Sequence, residues 1–183
     1  MRAFVAIELP EAVIDQIVAV QEHLRAGRHV EADNLHLTLA FLGEQSDSAM
    51  VAVDEALQAL RAPGFDLELA GIDTFGGDAP HVVYLGARPN PALEALHRKV
   101  MAALRGAGLD LGRVRFRPHV TLARFGRRLD GVERDRLGRF LSAHADAHLV
   151  PFAVDHFTLF RSILGKGAPV HQALADYPLG TVG

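Results

Sequence analysis

The chain has 183 residues, 49% of them hydrophobic and 22% charged, and a net charge of −3. That length can bury a real core and fits one two-lobed domain over residues 1–183, while the acidic balance leaves no basic surplus for wrapping long nucleic acid and keeps a small or terminal nucleotide open. There is no cysteine, which excludes a disulfide framework, a thiolate nucleophile and a Cys-type zinc site; the opening apolar run is too short for a signal peptide and no segment reaches the ~20 apolar residues of a membrane span, so a soluble cytoplasmic protein is expected.

Residues 3–9 read as a strand that Pro10 stops. Pro10 also suits a helix start, with Glu11 in the first turn. Val13, Ile14, Ile17, Val18, Val20 and Leu24 recur at helical spacing to about Ala26, and Gly27 marks the stop. A strand over roughly 35–42 ends at Gly43. Ser46 and Asp47 can cap a helix carrying Met50, Val53, Leu57 and Leu60, closed by Pro63-Gly64. Phe65, Leu67 and Leu69 alternate with acidic residues as a strand, and Thr74 to Pro80 reads as a loop.

The order then repeats. Val82 to Leu85 is a strand, and Asn90-Pro91 opens a helix with Leu93, Leu96, Val100 and Leu104. A strand near 119–123, a helix around 131–143 and a strand around 150–160 follow. A last short strand is expected near Val170 to Leu174. Two halves with the same element order point to an internal duplication: two α+β lobes, each with a small sheet, facing one another across a cleft.

The same tetrapeptide stands at the matching place in each half, as His36-Leu37-Thr38-Leu39 and His119-Val120-Thr121-Leu122. Strand period two sends His36 and Thr38 to one face and Leu37 and Leu39 to the other, and the second copy does the same. If the two strands lie side by side, two imidazoles and two hydroxyls converge. That set suits metal-free chemistry at phosphorus: one imidazole takes a proton, the other gives one, and the hydroxyls donate to phosphate oxygens. A zinc site is the weaker reading, because there is no His-Glu-x-x-His and no acidic residue inside either motif.

Six arginines crowd the second copy: Arg113, Arg115, Arg117, Arg124, Arg127 and Arg128. Alternation puts Arg113, Arg115 and Arg117 on the face of His119, although Pro118 allows the phase to slip. Alternation also puts Arg124 opposite Thr121, away from the cleft. Phe4 lies on the strand face opposite Val5 and Ile7, where its ring could stack on a base or simply pack.

Taken together, these residues resemble the two-histidine phosphoesterases, and most closely the RNA 2′,3′-cyclic phosphodiesterases of the ThpR/LigT type, formerly called 2′-5′ RNA ligases. The resemblance rests on Arg2 to Pro10, on Ala32 to Glu44, on Phe116 to Arg124 and on Phe157-Thr158-Leu159. It implies a bilobal pseudo-twofold α+β fold of two small, mainly antiparallel sheets with helices outside. It implies hydrolysis of a terminal 2′,3′-cyclic phosphate to a 2′-phosphate, without metal or cofactor, by a monomer acting on RNA ends or nucleotides. His36 matches the proton donor and His119 the proton acceptor. Thr38 and Thr121 match the phosphate-holding hydroxyls, Arg124 a nucleotide contact and Phe4 an aromatic on the base side. Reversible 2′-5′ ligation and a non-catalytic nucleotide-binding module are the alternatives.

Overall fold

In the computed structural model the described residues are 1–113, 115–126 and 128–181. Their elements are β1 (Arg2–Glu8), α1 (Glu11–Gln21), β2 (Arg28–His29), a short 3-10 turn (Ala32–Asn34), β3 (His36–Glu44), α2 (Asp47–Gln58), β4 (Phe65–Leu67), β5 (Leu69–Phe75), β6 (Val82–Ala87), α3 (Pro91–Gly106), β7 (His119–Arg124), α4 (Gly131–His144), β8 (Phe152–Val154), β9 (His156–Ile163) and β10 (Val170–Pro178).

Local chemistry sets most of the boundaries. The Ser46 side chain caps α2 by accepting from the Ala49 amide. Asn90 caps α3 through the Ala92 and Leu93 amides, with Pro91 in the first turn. Asp130 and Glu133 form a reciprocal capping box on α4. The helix α1 stops at Gln21, short of the Ala26 that apolar spacing predicts. The Gln21 side chain is buried and donates to two backbone carbonyls, Val30 and Leu122. Leu24 and Ala26 still reach the core, but from a turn. The strand expected over Phe65, Leu67 and Leu69 divides between β4 and β5, and β5 runs on to Phe75, into the start of the expected loop; the strand expected around 150–160 divides into β8 and β9.

The main sheet runs β10-β9-β1-β3-β7-β6-β5, with β2 paired to β7. All its named pairings are antiparallel. Its pseudo-symmetry is visible in the order: β9-β1-β3 on one side mirrors β5-β6-β7 on the other. The outer strand of each side therefore comes from the other half of the chain. The connecting segments β4 and β8 pair with one another as a separate ladder, Phe65↔Val154 to Leu67↔Phe152. The two small sheets are also joined, since β3 and β7 meet at one residue pair, Leu37↔Val120.

One sheet face is apolar and packs against the helices. Val5, Ile7, Leu37, Leu39, Val120 and Leu122 join Val13 and Ile17 of α1, Val53 and Leu57 of α2, Leu93 and Leu96 of α3, and Leu137 and Phe140 of α4 in one core. Burying side chains of this size contributes about 1.5–3 kcal/mol each. The opposite face carries the motif histidines. No helix among the described residues is long and apolar enough to cross a membrane.

Candidate active site

The Leu37↔Val120 pair is the centre of the site. Both residues point into the core, and the antiparallel sense sets His36 across from Thr121 and Thr38 across from His119. All four polar residues line one open cleft of about 630 Å³.

Each motif strand then carries a bulge at its fourth residue. On β3, Ala40 pairs with Val5 and Thr38 with Ala6, so Leu39 is the extra residue. On β7, Ala123 pairs with Val83 and Thr121 with Tyr84, so Leu122 is the extra residue. Leu39-Ala40 and Leu122-Ala123 are consecutive buried pairs, and the phase slips by one at both. Strict alternation fails for Arg124 for this reason: the bulge returns it to the face of Thr121, and it lines the cleft. Its counterpart on β3, Phe41, also lines the cleft and is 69% exposed.

The two imidazoles are fixed by the same device. His36 Nδ1 donates to the Asn34 carbonyl at 2.7 Å, and His119 Nδ1 donates to the Arg117 carbonyl at 2.6 Å. A carbonyl only accepts, so each Nδ1 carries the proton and each Nε2 has no protein partner among the described residues. Asn34 is itself held by its side-chain amide, which donates to the Pro169 carbonyl at 2.9 Å. Aromatic rings back both imidazoles. Phe4 stacks on His36 at 4.8 Å, while Phe75 and Tyr84 sit edge-on to His119 at 5.0 and 5.5 Å.

Burial holds the His36 imidazole down at about 4. The charges of His171, Arg124 and His119 act in the same sense, against the Asn34 carbonyl. Burial also lowers His119, aided by Arg124 and opposed by the Arg117 carbonyl. Both imidazoles are therefore held below the ordinary histidine range.

Phe4 lines the cleft at only 4% exposure, packed between His36 and Phe160. It has little ring surface to offer a base, and what it supports is the His36 imidazole. Phe41, by contrast, presents an open ring to the cleft. The arginines divide as well. Arg113, Arg115 and Arg117 precede β7 in non-strand chain, so period two does not govern them. Arg117 lies over the Phe75 ring at 5.9 Å. Arg127 lies outside the described residues. Among the described residues, the arginines that line the cleft are Arg2, Arg28 and Arg124.

Arg2, Arg28, Phe41 and His171 escaped the sequence reading. Arg28 arrives because β2 lies along β7 with Arg28 opposite Arg124. Gly27, at φ +72, makes that approach possible, since a Cβ there would sit 3.0 Å from the Arg124 carbonyl oxygen and closer still to the Phe125 ring. His171 stands edge-on to His36 at 5.2 Å, and its Nδ1 is buried without a partner. The tetrapeptide also occurs a third time, as His156-Phe157-Thr158-Leu159 on β9. The tetrapeptide is therefore not confined to the two central strands.

A doubled His-x-Thr on paired central strands of a pseudo-twofold α+β sheet marks the candidate site. The chain belongs to the 2′-5′ RNA ligase superfamily, which it matches over residues 9–165. It is 34% identical over 182 residues to the RNA 2′,3′-cyclic phosphodiesterase of Escherichia coli K12, covering 97% of this chain and 96% of that one. It is also 34% identical over 153 residues to the enzyme of that name from Geobacillus stearothermophilus; that match covers 82% of this chain and about half (47%) of the longer relative. Among solved structures, E. coli LigT in apo form matches with a TM-score of 0.80 at 32% identity, over 98% of this chain and 97% of that one. LigT complexed with 3′-AMP matches at a TM-score of 0.77 and 31% identity, over 97% and 96%.

Proposed function

We propose that the chain hydrolyses RNA-terminal 2′,3′-cyclic phosphates to 2′-phosphates without a metal ion, acting as a cytoplasmic monomer and a single two-lobed unit over residues 1–183. The observation that carries the reading is the matched pair of imidazoles, each with Nδ1 tied to the carbonyl two residues before it and Nε2 left for the ligand. The names of the relatives support the substrate class.

In this reading the cyclic phosphorus sits between the two motifs. His119 Nε2 takes a proton from water, the water oxygen bonds to phosphorus, and the P–O3′ bond breaks. His36 Nε2 gives its proton to O3′. The product is a 2′-phosphate with a free 3′-hydroxyl, and solvent resets both rings. Thr38 and Thr121 donate to the non-bridging oxygens, whose charge grows in the transition state. Arg124 adds a fixed positive charge, and Phe41 offers its face to the base.

An imidazole held at about 4 is neutral at pH 7, so the acid role needs the substrate to recruit its proton. A phosphodiester anion about 4 Å away contributes ~4 kcal/mol at an effective dielectric of ~20, or about three pH units. That returns His36 to the neutral range only when substrate is bound. Ligation is the same chemistry with a 5′-hydroxyl attacking in place of water. Incubation with an oligonucleotide ending in a cyclic phosphate tests the reading. Wild type opens the ring, and His36→Ala and His119→Ala each lose about 10²–10⁴ in rate; full activity in both variants contradicts it.

A further inference from the structure

The third His-x-Thr copy lies in surroundings unlike those of the first two. Thr158 is fully buried, and its hydroxyl contacts Asp176 Oδ1 at 2.7 Å and Glu8 Oε2 at 3.1 Å. Those contacts remove it from any phosphate, and the carboxylates around it repel an anion. His156 Nε2 stands 3.2 Å from Glu8 Oε2, and its Nδ1 stands 2.6 Å from Asp155 Oδ1. None of these residues lines the catalytic cleft.

We propose that Glu8, His156 and Asp176 form a binding site for a divalent transition-metal ion of the zinc class, separate from the phosphate cleft. Three adjacent strands supply the ligands. Ala6 pairs with Thr158 on β9, and the register carried two residues further sets Glu8 against His156; Asp176 pairs with Thr158 from β10. Among the described residues, these three offer donor atoms that all lie within 4.8 Å of one another. Tetrahedral zinc with bonds of ~2.0–2.2 Å spaces its ligands at about 3.3–3.5 Å. The 3.2 Å between His156 Nε2 and Glu8 Oε2 is already close to that edge, and the exposed Asp176 carboxylate has little more than about an ångström to close.

Two further observations point to a cation. Asp155 on Nδ1 is the carboxylate partner that orients a metal-bound imidazole and raises its donor strength. The Thr158 hydroxyl has one proton for two carboxylates. Given to Asp176 at the shorter distance, it leaves Glu8 with the imidazole alone. Three carboxylates against one imidazolium leave a surplus negative charge that a divalent ion neutralises. On binding, the metal replaces the proton that Nε2 shares with Glu8, and that proton goes to solvent. The ion then clips β1, β9 and β10 together beside His36, the strand partner of Glu8.

Zinc and cobalt titrations of the metal-free full chain test this. One equivalent of Zn²⁺ binds by calorimetry, and Tm rises by about 5–10 °C with free Zn²⁺ at ~100 times its dissociation constant. Co²⁺ gives the intense visible absorption of a tetrahedral site. His156→Ala removes binding, and Asp155→Asn, which keeps every ligand, weakens it by about 10–100-fold. The proposal is overturned if wild type binds no more tightly than His156→Ala, or if binding survives His156→Ala and Asp176→Asn but is lost in His36→Ala, which would place the ion between the catalytic imidazoles.

Discussion

Gln21 on α1 donates its side-chain amide at 2.9 Å to the carbonyl of Leu122, the bulged residue of the second motif. The Val30 amide donates to the same oxygen, also at 2.9 Å, and Gln21 reaches the Val30 carbonyl as well. A buried glutamine and the Val30 amide thus both hold the carbonyl of the bulged residue, and the bulge turns Arg124 into the cleft. Gln21→Met keeps the length and removes the donors. It should lose about 1–3 kcal/mol of stability by urea unfolding and lower kcat/KM below wild type at a temperature where the variant is fully folded. Unchanged kcat/KM would mean that the bulge holds itself.

Arg124→Ala should reduce kcat/KM by about 10–150-fold, the range of one lost charge-assisted contact worth ~1.5–3 kcal/mol. Arg124 also depresses both motif imidazoles. Its removal should therefore raise both titrations, read by NMR of the histidine ring protons. A kcat/KM within twofold of wild type would remove Arg124 from the site.

The acid and base roles separate by leaving group. A nitrophenyl phosphodiester expels an oxygen that needs no proton. His36→Ala should regain most of its lost activity on that substrate, and His119→Ala should not. Rescue of His119→Ala instead would exchange the two roles.

Stability should fall as the pH drops from about 6.5 to about 4. Folded His36 titrates near 4 and an unfolded histidine near 6.5, so in that window the unfolded chain binds more protons and gains on the native state. The contribution is up to about 3 kcal/mol from His36, and the lowered His119 and His171 add in the same sense. Above 6.5 the effect is absent. Urea unfolding across the window should show a shallower loss for His36→Gln than for wild type; equal slopes would contradict the burial of this ring.

The convergence of His36, Thr38, His119 and Thr121 on one cleft was legible in the sequence because it depends on period two over three residues in each motif. Beyond that distance the reading failed for physical reasons. The bulges at Leu39 and Leu122 carry no special residue, only two consecutive apolar positions that serve either phase. The exchange of β5 and β9 between halves is a long-range pairing that no local pattern encodes, and the Phe4 that looked available to a base is covered by Phe160 from that exchanged strand. Arg28 enters through the pairing of β2 with β7, a long-range contact that Gly27 at φ +72 permits. The third tetrapeptide was readable, but its distinct chemistry comes from Glu8 and Asp176 on other strands.

Phosphorus NMR of an RNA oligonucleotide ending in a 2′,3′-cyclic phosphate, incubated with the protein in excess EDTA, tests the central claim most directly. Wild type should lose the cyclic-phosphate signal and give a 2′-phosphate alone, with no conversion on the same timescale by His36→Ala or His119→Ala. A 3′-phosphate product, arrest of turnover by the chelator, or undiminished conversion by both variants would contradict it.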